Sequence, residues 1–267
     1  MPNRIKLDFD SQLRPHYVAF LDVMGFSDIV GKGNTVELKE YFEKIVETLA
    51  NLKRDKANIK SMLISDSIIL VAPDDFSQFI QLLWAVRRIQ GALLLKRILL
   101  RGAISFGDVY FNEEHNIIVG KGFIRAYHLE ALAVYPRVIL DPAIVKKNSK
   151  TRKAFLERVN SDAVRNPEAR HIYSTNEFTK INDDAIFVEY ANKVVKSNEI
   201  ERSLERIHQH IKDNLYGDQR LYSKYIWLKD YFLETLELQH HRTTVVDEES
   251  RKYKAEINKW IELFEEL

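Results

Sequence analysis

The chain has 267 residues, of which 45% are hydrophobic and 30% charged, with a formal net charge of +1 and no cysteine. This length accommodates one large domain or two small ones around a real core. Near-neutral charge argues against bulk nucleic-acid binding, which needs a basic surface to neutralise phosphates. The lack of cysteine excludes disulfides, thiolate metal sites and thiol nucleophiles. No apolar run approaches the ~20 residues that span a bilayer. Met1-Pro2-Asn3-Arg4-Ile5-Lys6-Leu7-Asp8 lacks the apolar stretch of a secretory signal. The expectation is a cytoplasmic chain without direct membrane contact.

From residue 15 to 190, apolar strand-like runs alternate with amphipathic helical stretches, the pattern of an α/β or α+β domain. A strand over 17–22 ends at Asp22, and a helix starts at Gly25-Phe26-Ser27-Asp28. A helix over 35–53 follows, with Val36, Leu38, Phe42, Ile45, Val46 and Leu49 at helical spacing. Strands over 59–64 and 67–72 flank a tight turn at Ser65-Asp66, and polar residues of this kind favour turns. A helix over 76–94 leads to a long strand over 98–106. Gly107-Asp108 separates it from a strand over 109–111, and a polar turn at 112–116 returns as a strand over 117–119. A helix over 121–133 and a short strand over 138–140 complete this stretch. Residues 148–170 are rich in charge and read as an exposed connection with a short helix. Two last strands lie over 172–174 and 185–190.

From residue 197 onward the pattern is helical. Ile200, Leu204, Ile207, Ile211 and Leu215 mark one amphipathic helix, and two more follow over 222–238 and 248–267. This divides the chain into a domain over 1–190 and a helical extension over 191–267. His208 with His210, and His240 with His241, are too close in sequence to face one another on a helix. They read as surface or helix-packing residues. The aromatic stretch Tyr222, Tyr225, Trp227, Tyr231 and Phe232 reads as core or interface.

Two aspartates stand out. Asp22 closes the run Tyr17-Val18-Ala19-Phe20-Leu21, and Asp66 lies between Ser65 and Ser67. Carboxylates beside apolar strands are unfavourable without positive compensation. A pair of them, if close in space, invites a divalent metal; separately, Asp22 would cap a helix and Asp66 would stabilise a turn. Arg101, inside an apolar strand, either pairs with an acidic residue of the sheet or faces a ligand. Arg137, after Pro136, is a similar case.

These segments resemble class III nucleotidyl cyclases in four places, in the family's order. Phe20-Leu21-Asp22-Val23-Met24-Gly25-Phe26-Ser27 is similar to their first strand and turn, and Ser65-Asp66-Ser67 to their Gly-Asp-Ser hairpin. Arg101-Gly102-Ala103-Ile104-Ser105-Phe106-Gly107-Asp108-Val109 resembles their Arg-x-Gly-Ile strand. The fourth segment, Val119-Gly120-Lys121-Gly122-Phe123-Ile124-Arg125-Ala126-Tyr127-His128-Leu129-Glu130, resembles the start of their next helix. Within the family, the Leu21-Asp22-Val23-Met24-Gly25-Phe26 and Ala126-Tyr127-His128-Leu129-Glu130 runs, with Leu100-Arg101-Gly102 and Tyr135-Pro136-Arg137-Val138, look like the pyrimidine cyclases of bacterial Pycsar anti-phage systems.

The resemblance implies an α+β fold, a mixed, mainly antiparallel sheet flanked by helices, with a helical C-terminal extension. It implies Asp22 and Asp66 as ligands of two divalent cations, Mn2+ or Mg2+. It implies Val23, Gly25 and Phe26 at the phosphates, because a helix N-terminus carries unpaired donors, with Arg101 and Lys121 as further substrate-binding residues. Arg137, His128, Lys121 and Arg125 are the candidates for stabilising the transition state. Ile124 stands where purine cyclases place an asparagine, His128 at their arginine, Met62 at their purine-reading lysine and Ile117 near their purine-reading aspartate. Those departures argue against a strong purine preference. The resemblance to the pyrimidine branch, in which uridylate cyclases are common, implies a uridylate cyclase acting on UTP, in a homodimer with composite sites, whose cyclic UMP acts on a separate effector. No residue here reads the uracil. The alternatives are a cytidylate cyclase, a purine cyclase with a rearranged pocket, and a cyclase-like domain that binds nucleotides without turnover.

Overall fold

The computed structural model describes residues 12–31, 35–54, 58–161, 170–174, 183–195 and 199–267. The N-terminal octapeptide, and parts of the 148–170 connection, lie outside them. Eight strands form one sheet: β1 (Arg14–Val23), β2 (Lys60–Ile64), β3 (Ser67–Pro73), β4 (Leu100–Asn112), β5 (Ile117–Val119), β6 (Val138–Leu140), β7 (Ile172–Ser174) and β8 (Ile186–Val188). Their order is β2-β3-β1-β4-β6-β8-β7, with β5 paired to β4 off this path. Every pairing is antiparallel except β4 with β6. The sheet is thus mixed and mainly antiparallel, as expected.

The helices of the first part are α1 (Phe26–Gly31), α2 (Thr35–Arg54), α3 (Phe76–Leu94), α4 (Lys121–Ala133), α5 (Pro142–Asn148) and α6 (Arg152–Val159). Those of the extension are α7 (Ala191–Val195), α8 (Ile200–Asn214), α9 (Gln219–Arg242) and α10 (Glu248–Glu265). Local chemistry fixes several starts. The Asp75 carboxylate accepts from the backbone N–H of Ser77 and Gln78 and caps α3. Asp141 caps α5 with Pro142 in the first turn, and Asp247 forms a capping box with Ser250 on α10.

Strand alternation divides the core between the two faces of the sheet. Tyr17, Ala19, Leu21 and Val23 of β1 face one layer with Tyr41, Ile45, Phe79, Leu83 and Phe155 from α2, α3 and α6. Val18 and Phe20 face the other side, where Ala126 and Phe123 of α4 cover them. Phe20 pairs with Ala103, Ala103 with Ile139, and Ile139 with Phe187. That same face therefore continues into a second core, where Ala103, Ile139, Tyr173 and Phe187 meet Leu204, Ile207, Trp227, Tyr231, Phe232 and Phe264 of the extension. The extension and α4 lie side by side on one face.

The structure corrects three local expectations. Gly107-Asp108 does not interrupt the strand: β4 runs through both, because Gly107 pairs with His16 and Asp108 with Pro15 on β1. The 148–170 segment is not merely an exposed connection, since α6 buries Phe155 and Val159 in the first core. The last strand stops at Val188, and Glu189 instead pairs with Arg87 and accepts from the N–H of Asn192.

Candidate functional site

Asp22 is the penultimate residue of β1, and the register sets Ser67 on one side of it and Arg101 on the other. Asp66 immediately precedes Ser67 in the β2–β3 turn, where Ser65 takes a positive φ of 55°. The Tyr41 hydroxyl of α2 donates to the Asp66 carbonyl at 3.2 Å and ties the turn to the core. The two aspartates thus share one end of the sheet, on neighbouring strands. Burial first, and then the Asp66 charge, push the Asp22 carboxyl above its ordinary value, while Arg101 acts against them. Burial and the same two carboxylates also push the Tyr41 phenol up.

Arg101 extends from β4 on the same face as Asp22. One guanidinium nitrogen lies 3.6 Å from Asp22 Oδ2, and Nε forms an ion pair with Glu130 of α4. Arg101 makes the acidic pairings that are one of its two sequence alternatives, with Glu130 on a helix as well as Asp22 in the sheet. Glu130 is 7% exposed; burial raises its carboxyl, Arg101 lowers it, and Asp22 and Asp66 raise it again. Three carboxylates therefore sense one another around one arginine. Glu130 carries no role in the sequence reading, although it ends the motif beside His128. The signal available was the pair itself, one arginine in a strand and one glutamate at the end of the facing helix.

The donor chemistry at this end fits a divalent cation. Two hard carboxylate oxygens, one desolvated and pushed up by the other, suit Mg2+ or Mn2+. Among the described residues no group of three or more His, Asp or Glu side chains is placed to hold a metal ion, so the protein would offer only this pair. A cation held there would complete its shell with water or other ligand oxygens.

Other expected residues scatter. Gly25 has a φ of 78° with open space around its α-carbon, so it makes the turn out of β1 and leaves its backbone approachable. Phe26 packs edge-on against Phe42, with ring centres 6.5 Å apart. The Val23 side chain is buried in the core, which leaves only its backbone for a ligand. Met62 is buried beside Phe20 and Val109, and Ile117 is half-buried on β5. Lys121 and His128 are exposed on α4. Arg125 forms an ion pair with the buried Asp141. Arg137 is 2% exposed and occupied: Nε donates to the Ala133 carbonyl at 3.1 Å and the guanidinium pairs with Asp183. It also faces the rings of Tyr135 and Trp227 at 5.1 and 5.6 Å. Its side chain is thus committed to the seam with the extension and is not brought to Asp22. His208 contacts the Leu263 carbonyl at 3.1 Å. His210 lies buried against Tyr225, and burial lowers it to about 4. Both are packing residues.

No protein-family model matches the chain, and no curated protein does. Similar solved structures include the adenylyl cyclase CyaB from P. aeruginosa, 15% identical, with a TM-score of 0.40 over 51% of this chain and 83% of that one. The guanylyl cyclase Cya2 is 11% identical, with a TM-score of 0.43 over 67% of this chain and 92% of that one. The guanylyl cyclase domain of the RhoGC fusion protein from the aquatic fungus Blastocladiella emersonii is 18% identical, with a TM-score of 0.41 over 51% and 86%.

Proposed function

We propose that the chain is a metal-dependent pyrimidine nucleotide cyclase that converts UTP to 3′,5′-cyclic UMP and pyrophosphate, a second messenger for a separate effector in anti-phage defence. The observation that carries the reading is the pairing of Asp22 and Asp66 at one end of the sheet, each in its cyclase-like motif. Divalent ions held there would supply Lewis-acid activation of the ribose 3′-hydroxyl and neutralise the leaving pyrophosphate. Asp22 and Asp66 bind, and Arg101 fixes the Asp22 carboxylate from across the strand. Gly25 and Phe26 present backbone N–H groups to the phosphates. Met62 and Ile117 offer no polar partner to a purine, which removes the hydrogen bonds that would select one. A homodimer with composite sites fits the exposed apolar face of α4, where Ile124, Tyr127 and Leu132 are 51%, 53% and 64% exposed.

The test is product identity by mass spectrometry after incubation with each of the four nucleoside triphosphates and Mn2+. Cyclic UMP is expected, cyclic CMP would convert the reading to a cytidylate cyclase, and no cyclic product from UTP or CTP would end it. One observation favours a binding domain without turnover: Arg101 already counters Asp22. Tight triphosphate binding without product would identify that case.

A further inference from the structure

We propose that Tyr41, on α2, is a positioning residue for the cation pair: it clamps the turn that carries Asp66 to the turn that follows Asp22, and so fixes the spacing of the two carboxylates. The proposal rests on the part of the reading above in which Asp22 and Asp66 hold a divalent cation, and not on cyclisation.

Helical spacing brings the tyrosine to this end of the sheet. Tyr41, Ile45 and Thr48 recur at intervals of four and three along α2, and at 0%, 1% and 6% exposed they form its buried face. The first of them carries a hydroxyl, which donates to the Asp66 carbonyl at 3.2 Å. Its ring meets Phe26, four residues beyond Asp22, with centres 5.6 Å apart, and Phe42 at 4.9 Å. Phe26 and Phe42 in turn meet edge-on at 6.5 Å. Three rings therefore close a triangle, and one corner of it reaches the Asp66 turn.

Both turns need an anchor outside themselves. Ile64 pairs with Ser67, so Ser65 and Asp66 are the whole of the β2–β3 connection. Ser65 sits there at a φ of 55°, a left-handed backbone that is unfavourable for a residue with a Cβ. Such a backbone persists when surrounding contacts impose it. The Asp66 carbonyl lies beyond the last pair of the ladder, and Tyr41 supplies its donor. Gly25, at a φ of 78° with open space around it, swings the chain out of β1, and Phe26 anchors that turn in the core. Ser67 faces Asp22 in the register and its hydroxyl donates to the Asp22 carboxylate. Asp66 is thus tied to β1 through its neighbour and to α2 through its own carbonyl. Burial, then the Asp66 and Asp22 charges, push the phenol above its ordinary value, so it stays a donor while both carboxylates ionise. A hydrogen bond to the backbone of a ligating residue orients the ligand without touching the ion.

The experiment measures Mn2+ affinity of the full chain from the spin-resonance signal of the free ion, in wild type, Tyr41→Phe, Phe26→Leu and the double variant. Thermal melts and amide hydrogen exchange of the metal-free proteins accompany it. Tyr41→Phe keeps the ring and loses only the hydroxyl. Expected is an affinity roughly tenfold weaker in Tyr41→Phe, as for loss of an outer-sphere contact, and a smaller loss in Phe26→Leu. The double variant should be little worse than Tyr41→Phe, because both residues act through one clamp. Exchange at Asp66 and Ser67 should quicken in Tyr41→Phe while the rest of β3 is unchanged. Thr48→Val removes another hydroxyl from the same helix face, one that donates to the Lys44 carbonyl at 2.8 Å, and should leave the affinity unchanged. Wild-type affinity in Tyr41→Phe, an equal loss in Thr48→Val, strict additivity in the double variant, or no Mn2+ binding by wild type overturns the proposal. If Tyr41→Phe fails to melt cooperatively, wild-type affinity in Phe26→Leu overturns it instead. In turnover, Tyr41→Phe should need roughly tenfold more Mn2+ for half-maximal rate and regain near-wild-type kcat at saturation, whereas a merely structural loss lowers kcat at every concentration. Cyclisation by wild type with an unaltered Mn2+ requirement in Tyr41→Phe removes this inference and leaves the cyclase reading. Hydroxyl-dependent Mn2+ binding without any cyclic product does the reverse.

Discussion

Opposing demands meet at the Asp22 carboxylate. It must be ionised to hold a cation, yet burial and the Asp66 charge favour its protonated form. An acid whose folded pKa lies above its unfolded value loses stability as pH rises from the ordinary carboxylate range through the folded value. The metal-free protein should therefore gain stability relative to its Asp22→Asn variant as pH falls from about 7 to about 4. Thermal melts of the two proteins across that range measure the difference. Cation binding should in turn release protons, and calorimetry in buffers of different ionisation enthalpy reads that release. Glu130 acts one step back. It holds Arg101 and limits its claim on Asp22. Glu130→Gln should let Arg101 close on Asp22 and weaken Mn2+ affinity by roughly tenfold, as outer-sphere changes do. Titration of the free ion by spin-resonance signal checks it.

Most elements were legible because their periodicity was strong. The helix over 76–94 and the strands over 117–119, 138–140 and 172–174 match their observed bounds. The β4 strand was split at Gly107-Asp108 because glycine and aspartate signal a turn locally, whereas pairing with β1 decides the matter at a distance. Helices α5 and α7 are seven and five residues long, too short for a periodic signal, and owe their ends to Asp141 and to packing. Asp22 and Asp66 stand out in the sequence because each sits in a local motif, and the strand register then sets both at one end of the sheet. The Arg101–Glu130 pair and the burial of Arg137 were not legible there, since each depends on which helix lands over which strand. The close approach of β1 and β4 gives a sharp test. A Cβ on Gly102 would lie 2.4 Å from the Phe20 carbonyl oxygen. Gly102→Ala should destabilise the fold by about 2 kcal/mol or more through backbone displacement, read as a lowered urea midpoint.

Over the whole molecule, one sheet carries two cores on the face that holds Asp22, and the division at residue 190 cuts through the second of them. Ala103, Ile139, Tyr173 and Phe187 belong to the first part, while Trp227, Tyr231, Phe232 and Phe264 cover them from the extension. A chain ending at residue 190 would expose that apolar face and should aggregate rather than remain a soluble domain. Solubility and light scattering of the truncated chain would show it. The extension is therefore part of the fold that positions Arg137, through Trp227, and no helix among the described residues is long and apolar enough to cross a membrane.

The central claim is chemical, that Asp22 and Asp66 together support cyclisation of a pyrimidine nucleotide. Its most direct measurement follows pyrophosphate and cyclic product from UTP with Mn2+, in wild type and in Asp22→Ala and Asp66→Ala proteins that melt cooperatively. The account predicts equal yields of pyrophosphate and cyclic UMP from wild type, and a loss of roughly 100-fold or more in each variant. Full activity in either variant, or hydrolysis to UMP without any cyclic product, would contradict it.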